Sequence, residues 1–567
     1  MKLKSHLNTL IQEAFINADI QETPMSVTES TKIAFGDYQF NGAMALAKKL
    51  GKNPRVIATD ILKHLDLTQA IAKAEIAGAG FINLWLNPLW LASHAKEALL
   101  DNRLGVTLKE KPITVVVDYS GPNMAKQMHV GHLRSTIIGD TLANLLTFLG
   151  DDVIRQNHIG DWGTQFGMLI AYLELKNEDG NVNLKDLEQF YKEAKLTFDK
   201  DEDFANRARE YVVKIQSGDK HCLTLWQKFI DISLGHCEEV YEKLNVNLSR
   251  NDVKAESFYN EDLPKVVDAL ESKGKLQESN GAKCVFLEGD ETPIIVQKSD
   301  GGYLYATTDL SALRFRAKTL KAKRIAYVVD ARQSEHFKQV FRLAKEADFV
   351  NDEVKLEHIA FGTMMDKGGK PFKTRDGGTV KLIDLLDEAV LKAKASLNDA
   401  EEYSEEELNR MAKIIGIGAV KYADLSLNRE SNYIFNWDKM LSYEGNTSVY
   451  MQYAYVRIQS IFRKYNKALD LNATIIITDE LEHRLVVTLL RFEDILIRSA
   501  IDGSPNQMTT YLYELATLFM RFYEQNPILK DEVEEEIKLS RLLLADLTAK
   551  TIKQGLDILG IEIIDKL

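Results

Sequence analysis

The 567 residues read as a multidomain protein: a small α+β N-terminal domain, a doubly wound α/β (Rossmann-like) core carrying a helical insertion, and an all-α C-terminal bundle. Three features support this. Short β-branched runs such as residues 113–117 alternate with amphipathic stretches through the middle of the chain, the pattern of a buried parallel sheet with covering helices. A charged, helical stretch at about 175–280 interrupts that pattern. Beyond about 441, long amphipathic segments dominate, and only the short run 474–477 reads as a strand.

The N-terminal domain, residues 1–110, opens with a helix that places Leu7, Leu10, Ile11, Ala14 and Phe15 on one face. A second helical stretch, residues 42–50, stops at Gly51, and residues 80–86 alternate like a half-buried strand. The core spans 111–378. After its first strand comes a Gly121-Pro122-Asn123 loop, then a helix from about Gly131 that ends at Gly150. Residues 325–329 and 358–361 read as later strands of the same sheet. A helical connecting segment, 379–440, leads to the bundle at 441–567, with helices expected over 449–465, 480–500 and 510–525.

Composition narrows the function. Hydrophobic residues make up 45% and charged residues 27%, which argues against disorder. The 84 acids exceed the 71 bases for a net charge of −13, so any polyanionic partner needs local basic surface. Three cysteines are too few for a disulfide framework, no His/Cys spacing suits a metal, and no apolar run approaches the roughly 18 residues of a membrane span. The N-terminal segment is amphipathic, unlike a secretory signal. A cytoplasmic protein with no membrane association is expected.

The most informative stretch joins the first core strand to its helix: Asp118-Tyr119-Ser120-Gly121-Pro122-Asn123-Met124-Ala125-Lys126-Gln127-Met128-His129-Val130-Gly131-His132. Doubly wound folds bind nucleotides at such a turn, and His129 and His132 can both face the phosphates of a bound ATP. Gly131 leaves room for a ring or ribose to approach the backbone. The alternative is an ordinary helix-capping turn with two polar residues.

Residues 122–132 resemble the first signature of class I aminoacyl-tRNA synthetases, in the extended form typical of the arginyl-tRNA synthetase family. Residues 133–140, Asn157-His158-Ile159-Gly160-Asp161-Trp162-Gly163-Thr164-Gln165, residues 302–309 and residues 450–457 resemble the same family, bacterial-type members most closely, so the likeness extends from the first domain to the last. The resemblance implies activation of L-arginine by ATP, with Mg²⁺ accompanying the pyrophosphate. The arginyl group then passes from arginyl-adenylate to the terminal 2′-hydroxyl of tRNA(Arg), without an editing domain. It also implies an enzyme that is often monomeric.

The family's second signature is a mobile lysine-bearing loop, matched here by residues 369–378. Lys370 and Lys373 are its candidate lysines, and Arg375 and Asp376 blur the position of the second. In relatives with such a loop a lysine just before the first signature is thought to compensate, which points to Lys126. The alternatives are a surface lysine and a glycine-rich turn. The resemblance carries arginine selection onto Asp309 and Glu256, whose carboxylates suit a planar guanidinium, and onto Tyr305, one helical turn before Asp309. It carries the amino acid's backbone groups onto Asp118, Ser120, Asn123 and Gln333. Asp309 can equally cap its helix, and Glu256 can be one more exposed acid.

For tRNA, the resemblance points to Tyr450, Tyr453 and Arg457, which share a helical face, and to Phe81 and Asn83 in the first domain. Periodicity alone favours a tyrosine stripe that packs helix on helix. Two other functions fit parts of the sequence. A small-molecule nucleotidyltransferase would need neither terminal domain, and a non-catalytic tRNA-binding relative should have lost one of Lys126, His129, His132 or Asp309.

Overall fold

The computed structural model describes residues 3–22, 24–124, 126–176, 187–366, 368–370, 380–397 and 403–566. The chain divides into two compact units. One comprises Lys109–Leu441 with Ile558–Glu562, and the other Met1–Leu108, Ser442–Asp557 and Ile563–Leu567.

The first unit is built on a parallel sheet whose strands lie in the order Lys355–His358, Arg324–Tyr327, Thr114–Asp118, Asp152–Gln156. Val115, Val116 and Val117 are fully buried, which is why the central strand reads as an unbroken β-branched run. The chain leaves this strand toward one edge and later returns on its other side. The winding therefore reverses between Thr114–Asp118 and Arg324–Tyr327. The helix Leu133–Leu149 is buried along most of its length and stops at Gly150, whose φ of 99° takes the left-handed conformation that releases the chain. The helix Ser334–Glu346 packs Phe337, Val340 and Leu343 into one cluster with Ile325 and Tyr327.

The expected strand at 358–361 lies three residues earlier, at Lys355–His358, which leaves Phe361 past its carboxyl end, in an isolated parallel bridge with Asp330. The insertion carries helices Leu187–Lys200, Glu202–Gln216 and Lys220–Lys243, the last two capped by Asp201 and Asp219. After it comes a three-stranded antiparallel sheet, Gln277–Ser279, Ala282–Val285 and Ile294–Gln297, which the helical pattern does not anticipate. The connecting segment forms helices Leu382–Ser396 and Glu405–Leu425, the second opened by a Ser404/Glu407 capping box.

In the second unit an antiparallel sheet orders Thr28–Glu29, Tyr38–Phe40, Phe81–Leu86 and Ile71–Ala77. The opening helix Leu3–Asn17 buries Leu7, Ile11, Ala14 and Phe15, as its spacing implies, and Leu10 is half-buried. The C-terminal helices are Ser448–Tyr465, Glu480–Leu490, Phe492–Asp502, Asn506–Gln525 and Glu535–Ile558. The stretch 480–500 is thus two helices, broken at Arg491. Residues 474–477 form no strand: the Ile476 N–H donates to Ser540 Oγ, which donates in turn to the Ile476 carbonyl.

Arg134 stitches the first unit together from inside. The residue is 1% exposed, and its guanidinium ion-pairs with Asp424 at 3.0 Å and donates to the carbonyls of Gly362 (2.7 Å) and Ser431 (3.0 Å). Removing one partner strands the other charge in an apolar interior. Arg134→Ala should therefore cost about 3–5 kcal/mol of stability. Arg134→Met combined with Asp424→Leu should recover most of that loss, as read by calorimetric unfolding.

Candidate active site

A cleft of about 380 Å³ opens where the winding reverses, at the carboxyl ends of the parallel strands. The first strand supplies Asp118, Ser120 and Gly121, the second His158, the third Tyr327 to Asp330, and the fourth Phe361. Gly131, His132, Glu256, Tyr305, Asp309, Gln333 and His336 complete the wall.

Local chemistry shapes the turn after the central strand. Ser120 (φ 73°) and Gly121 (φ 54°) are consecutive left-handed residues, a strained arrangement for serine. A buried polar network holds it. The Ser120 N–H donates to Ser135 Oγ (2.9 Å), and Ser135 Oγ donates to the Val328 carbonyl (2.7 Å), joining the ends of two strands. The Ser120 hydroxyl lies 2.8 Å from Tyr241 Oη and accepts from Thr136 Oγ1, so it faces the interior. Gly139 permits the close approach of helix to turn, since a Cβ there would lie 2.2 Å from Tyr119 Cβ.

The two imidazoles cap the start of the following helix. His129 Nδ1 accepts from the Gly131 N–H (3.0 Å) and His132 Nδ1 accepts from the His129 N–H (3.1 Å), with ring centroids 4.1 Å apart. An Nδ1 that accepts carries no proton, so each neutral ring presents Nε2–H as a donor. Burial, then the Lys126 charge, lowers the pKa of His129. Burial, then His129, pushes His132 down to about 3. Both rings are neutral donors at pH 7. Gly131 has no room for a side chain, because a Cβ would lie 2.7 Å from His129 Cε1.

The opposite wall is acidic. Asp309 Oδ2 lies 2.6 Å from His336 Nε2, and no lysine or arginine among the described residues pairs with Asp309 or Glu256. Burial, with Asp161 and Asp309 nearby, pushes Glu256 up to about 7. Asp161 is itself held by the Ser257 N–H and hydroxyl. Tyr305 stands at the mouth, 72% exposed. This wall has the charge to receive a cation.

Some expected residues lie off the cleft wall. Asn123 packs against Gly160, where a Cβ would meet its Oδ1 at 2.2 Å. Lys126 is exposed, with its ammonium 4.7 Å from the Tyr191 ring centroid. Lys370 closes a turn with Asp366, while Lys373, Arg375 and Asp376 lie outside the described residues. In the other unit, Tyr450 meets Tyr513 edge-on at 5.5 Å and the Arg457 guanidinium sits 5.9 Å over Tyr523; Tyr453 is half-buried. Asn83 is 3% exposed and accepts from Gln39 (2.7 Å), and Phe81 is half-buried beside it.

Sequence reasoning missed Arg316 and His336. Arg316 is fully buried in a π-helical turn, Phe315–Thr319, where it ion-pairs with Asp118 at 2.8 Å, donates to Gln156 (2.6 Å) and lies over the Tyr327 ring. An arginine on the apolar face of a core helix was the available signal.

A carboxyl whose pKa is raised on folding loses stability as pH rises through its folded value. For Glu256 the window runs from its ordinary 4.5 to about 7. In the ligand-free protein Glu256→Gln should therefore stabilise at pH 8 by about 1–3 kcal/mol, and the gain should shrink through the window and vanish below about pH 4, as read by thermal unfolding.

The family described as tRNA synthetases class I (R), catalytic domain, matches residues 94–437. The arginyl-tRNA synthetase N-terminal domain matches 1–86 and the DALR anticodon binding domain 451–567. The chain is 52% identical to the arginine–tRNA ligase of Chromobacterium violaceum and 53% identical to that of Hahella chejuensis, each match covering all of both chains. Its structure resembles arginyl-tRNA synthetase from Plasmodium falciparum with a TM-score of 0.88 at 31% identity, covering 100% of this chain and 99% of that one. On the match along its whole length, the chain belongs to the class I arginyl-tRNA synthetase (arginine–tRNA ligase) family.

Proposed function

We propose that the protein is an arginine–tRNA ligase that activates L-arginine with ATP and charges tRNA(Arg). The observation that carries this reading is the polarity of the cleft: on one wall the neutral His132 imidazole, with His129 4.1 Å behind it, faces on the other Asp309 and Glu256, neither of which has a lysine or arginine partner among the described residues, at the switch point of a doubly wound sheet. One wall suits phosphates and the other a guanidinium.

In the first step a carboxylate oxygen of arginine attacks the α-phosphorus of ATP in line. The new C–O–P bond forms as the Pα–O bond to pyrophosphate breaks, and no protein nucleophile takes part. The work of the site is alignment and charge stabilisation. His129 and His132 offer Nε2–H donors to phosphate and ribose oxygens, Gly131 admits the nucleotide, and Lys126 with Lys370 or Lys373 balances the developing charge. ATP arrives as its magnesium complex, the ion held by the phosphates. Asp309, Glu256 and Tyr305 receive the guanidinium. Gln333 and Asp118, the latter already tied to Arg316, serve the amino acid's backbone groups, while Ser120, its hydroxyl turned to the interior, and Asn123, packed on Gly160 off the cleft wall, shape the turn behind them. In the second step the 2′-hydroxyl of the terminal adenosine attacks the activated carbonyl and AMP leaves.

The helix Ser448–Tyr465, with Tyr450, Tyr453 and Arg457 partly accessible, supplies stacking and hydrogen-bonding groups for the anticodon, and half-buried Phe81 contributes to the tRNA's outer corner, with buried Asn83 behind it on Gln39. The three cysteines are free and buried, in keeping with a reducing cytoplasm, and no described helix is long and apolar enough to cross a membrane.

Asp309→Asn should raise KM for arginine by about 100-fold or more, because it removes a charged hydrogen-bond partner from a closed site. His129→Ala should lower kcat by about 10²–10³-fold, as loss of a transition-state donor does. Steady-state aminoacylation kinetics test both. With its second signature degenerate, the enzyme should exchange pyrophosphate into ATP only when tRNA accompanies arginine. Substantial exchange without tRNA would contradict that dependence.

A further inference from the structure

His336 lines the cleft in the first turn of Ser334–Glu346, and nothing in the chemistry above uses it. Its partner Asp309 comes from another helix, Tyr305–Arg314, and the 2.6 Å contact is half-buried, with the side chains 32% and 16% exposed. Among the described residues no other donor reaches Asp309. One carboxylate oxygen is thus taken by an imidazole, and the other is left for a ligand.

We propose that His336 is a positioning residue that sets the cleft's affinity for a guanidinium: neutral, it donates to Asp309 Oδ2 and leaves Oδ1 to the ligand; protonated, it neutralises Asp309 and competes with the incoming cation. The proposal rests on Asp309 being the guanidinium partner. A carboxylate flanked by two cations gains less from the second than from the first, and the cations repel each other. Arginine binding therefore favours the form in which His336 has given up its proton.

The surroundings support a titration in a useful range. The hydrogen bond to Asp309 holds the imidazole above its ordinary value, partly offset by burial. Other ionisable groups on the cleft wall are Asp118 (tied to Arg316), Asp330 (tied to Arg332), Glu256, His158, His132 (neutral, pushed down to about 3) and the tyrosines Tyr119, Tyr305 and Tyr327, and on its own helix Glu335 is paired with Lys338. Asp309 alone exerts a charge effect on His336. Glu256 titrates near 7 and also surrenders a proton to a cation, so its contribution needs separating.

The test is KM for arginine in tRNA charging as a function of pH. In the wild type KM should rise as pH falls, approaching about tenfold per unit for each proton displaced. His336→Gln keeps an amide donor near the Nε2 position without titrating, and should flatten the acid-side rise. The residual slope, due to Glu256, should disappear when Glu256→Gln is added. His336→Ala should raise KM at every pH, and His336→Gln should rescue it. Profiles of wild type and His336→Gln that superimpose, with arginine still charged, would overturn the role of His336 alone. Failure to bind arginine at any pH would overturn the reading of Asp309 and this proposal with it. Ring-carbon NMR of the wild-type histidines gives a check without substitution. Arginine should shift one histidine titration to lower pH, and no shifted titration would contradict the proposal.

Discussion

The buried ion pair between Arg316 and Asp118 is the constraint on which the cleft depends. A fully buried guanidinium needs a matched charge, and the available carboxylate stands at the end of the central strand. Through one side chain the pair connects three strands: Asp118 on the first, Gln156 on the second and the Tyr327 ring on the third. Arg316 directly follows the helix that carries Tyr305 and Asp309, so the same contact sets where the acidic wall stands relative to the sheet. The π-helical turn at Phe315–Thr319 is the local distortion that accompanies this placement.

With the acidic wall held there, the cleft separates two kinds of recognition. On the phosphate side the backbone N–H groups of His129 and Gly131 fix both imidazole tautomers, so the rings donate through Nε2 without carrying charge. On the other side no lysine or arginine among the described residues neutralises the carboxylates, and the raised pKa of Glu256 reflects its burial first and then the negative charge of Asp161 and Asp309. Among the described residues, His336 is a partial answer to that charge, through its contact with Asp309. A cationic substrate completes this side electrostatically, which is how charge becomes a criterion for selection.

Much of the core was legible because its signals are local. The run around Val115 to Val117, the helix ending at Gly150 and the imidazole pair each sit within a few residues of what they do. Asp309, Tyr305, Glu256 and Gln333 were legible only through family resemblance, since the wall they share is assembled from separated segments. The hairpin at 277–285 carries a local signal in Asn280-Gly281, both at positive φ, which the surrounding charged pattern obscured. Arg316 and His336 show the limit of local reading: their partners lie on other elements, Asp118 and Asp309, and no spacing along the chain foretells such pairs. The gathering of Met1–Leu108 with Ser442–Asp557 into one unit is a long-range packing fact of the same kind.

The central claim is that carboxylates with no lysine or arginine partner select a cation. Charging of tRNA with radiolabelled arginine against citrulline, a neutral near-isostere, tests it most directly. Arginine should be charged with a kcat/KM at least about 10⁴-fold above that of citrulline, the margin expected when buried polar groups lose their partner. Comparable charging of the two would contradict the account, because it would mean that shape and not charge governs entry to the cleft.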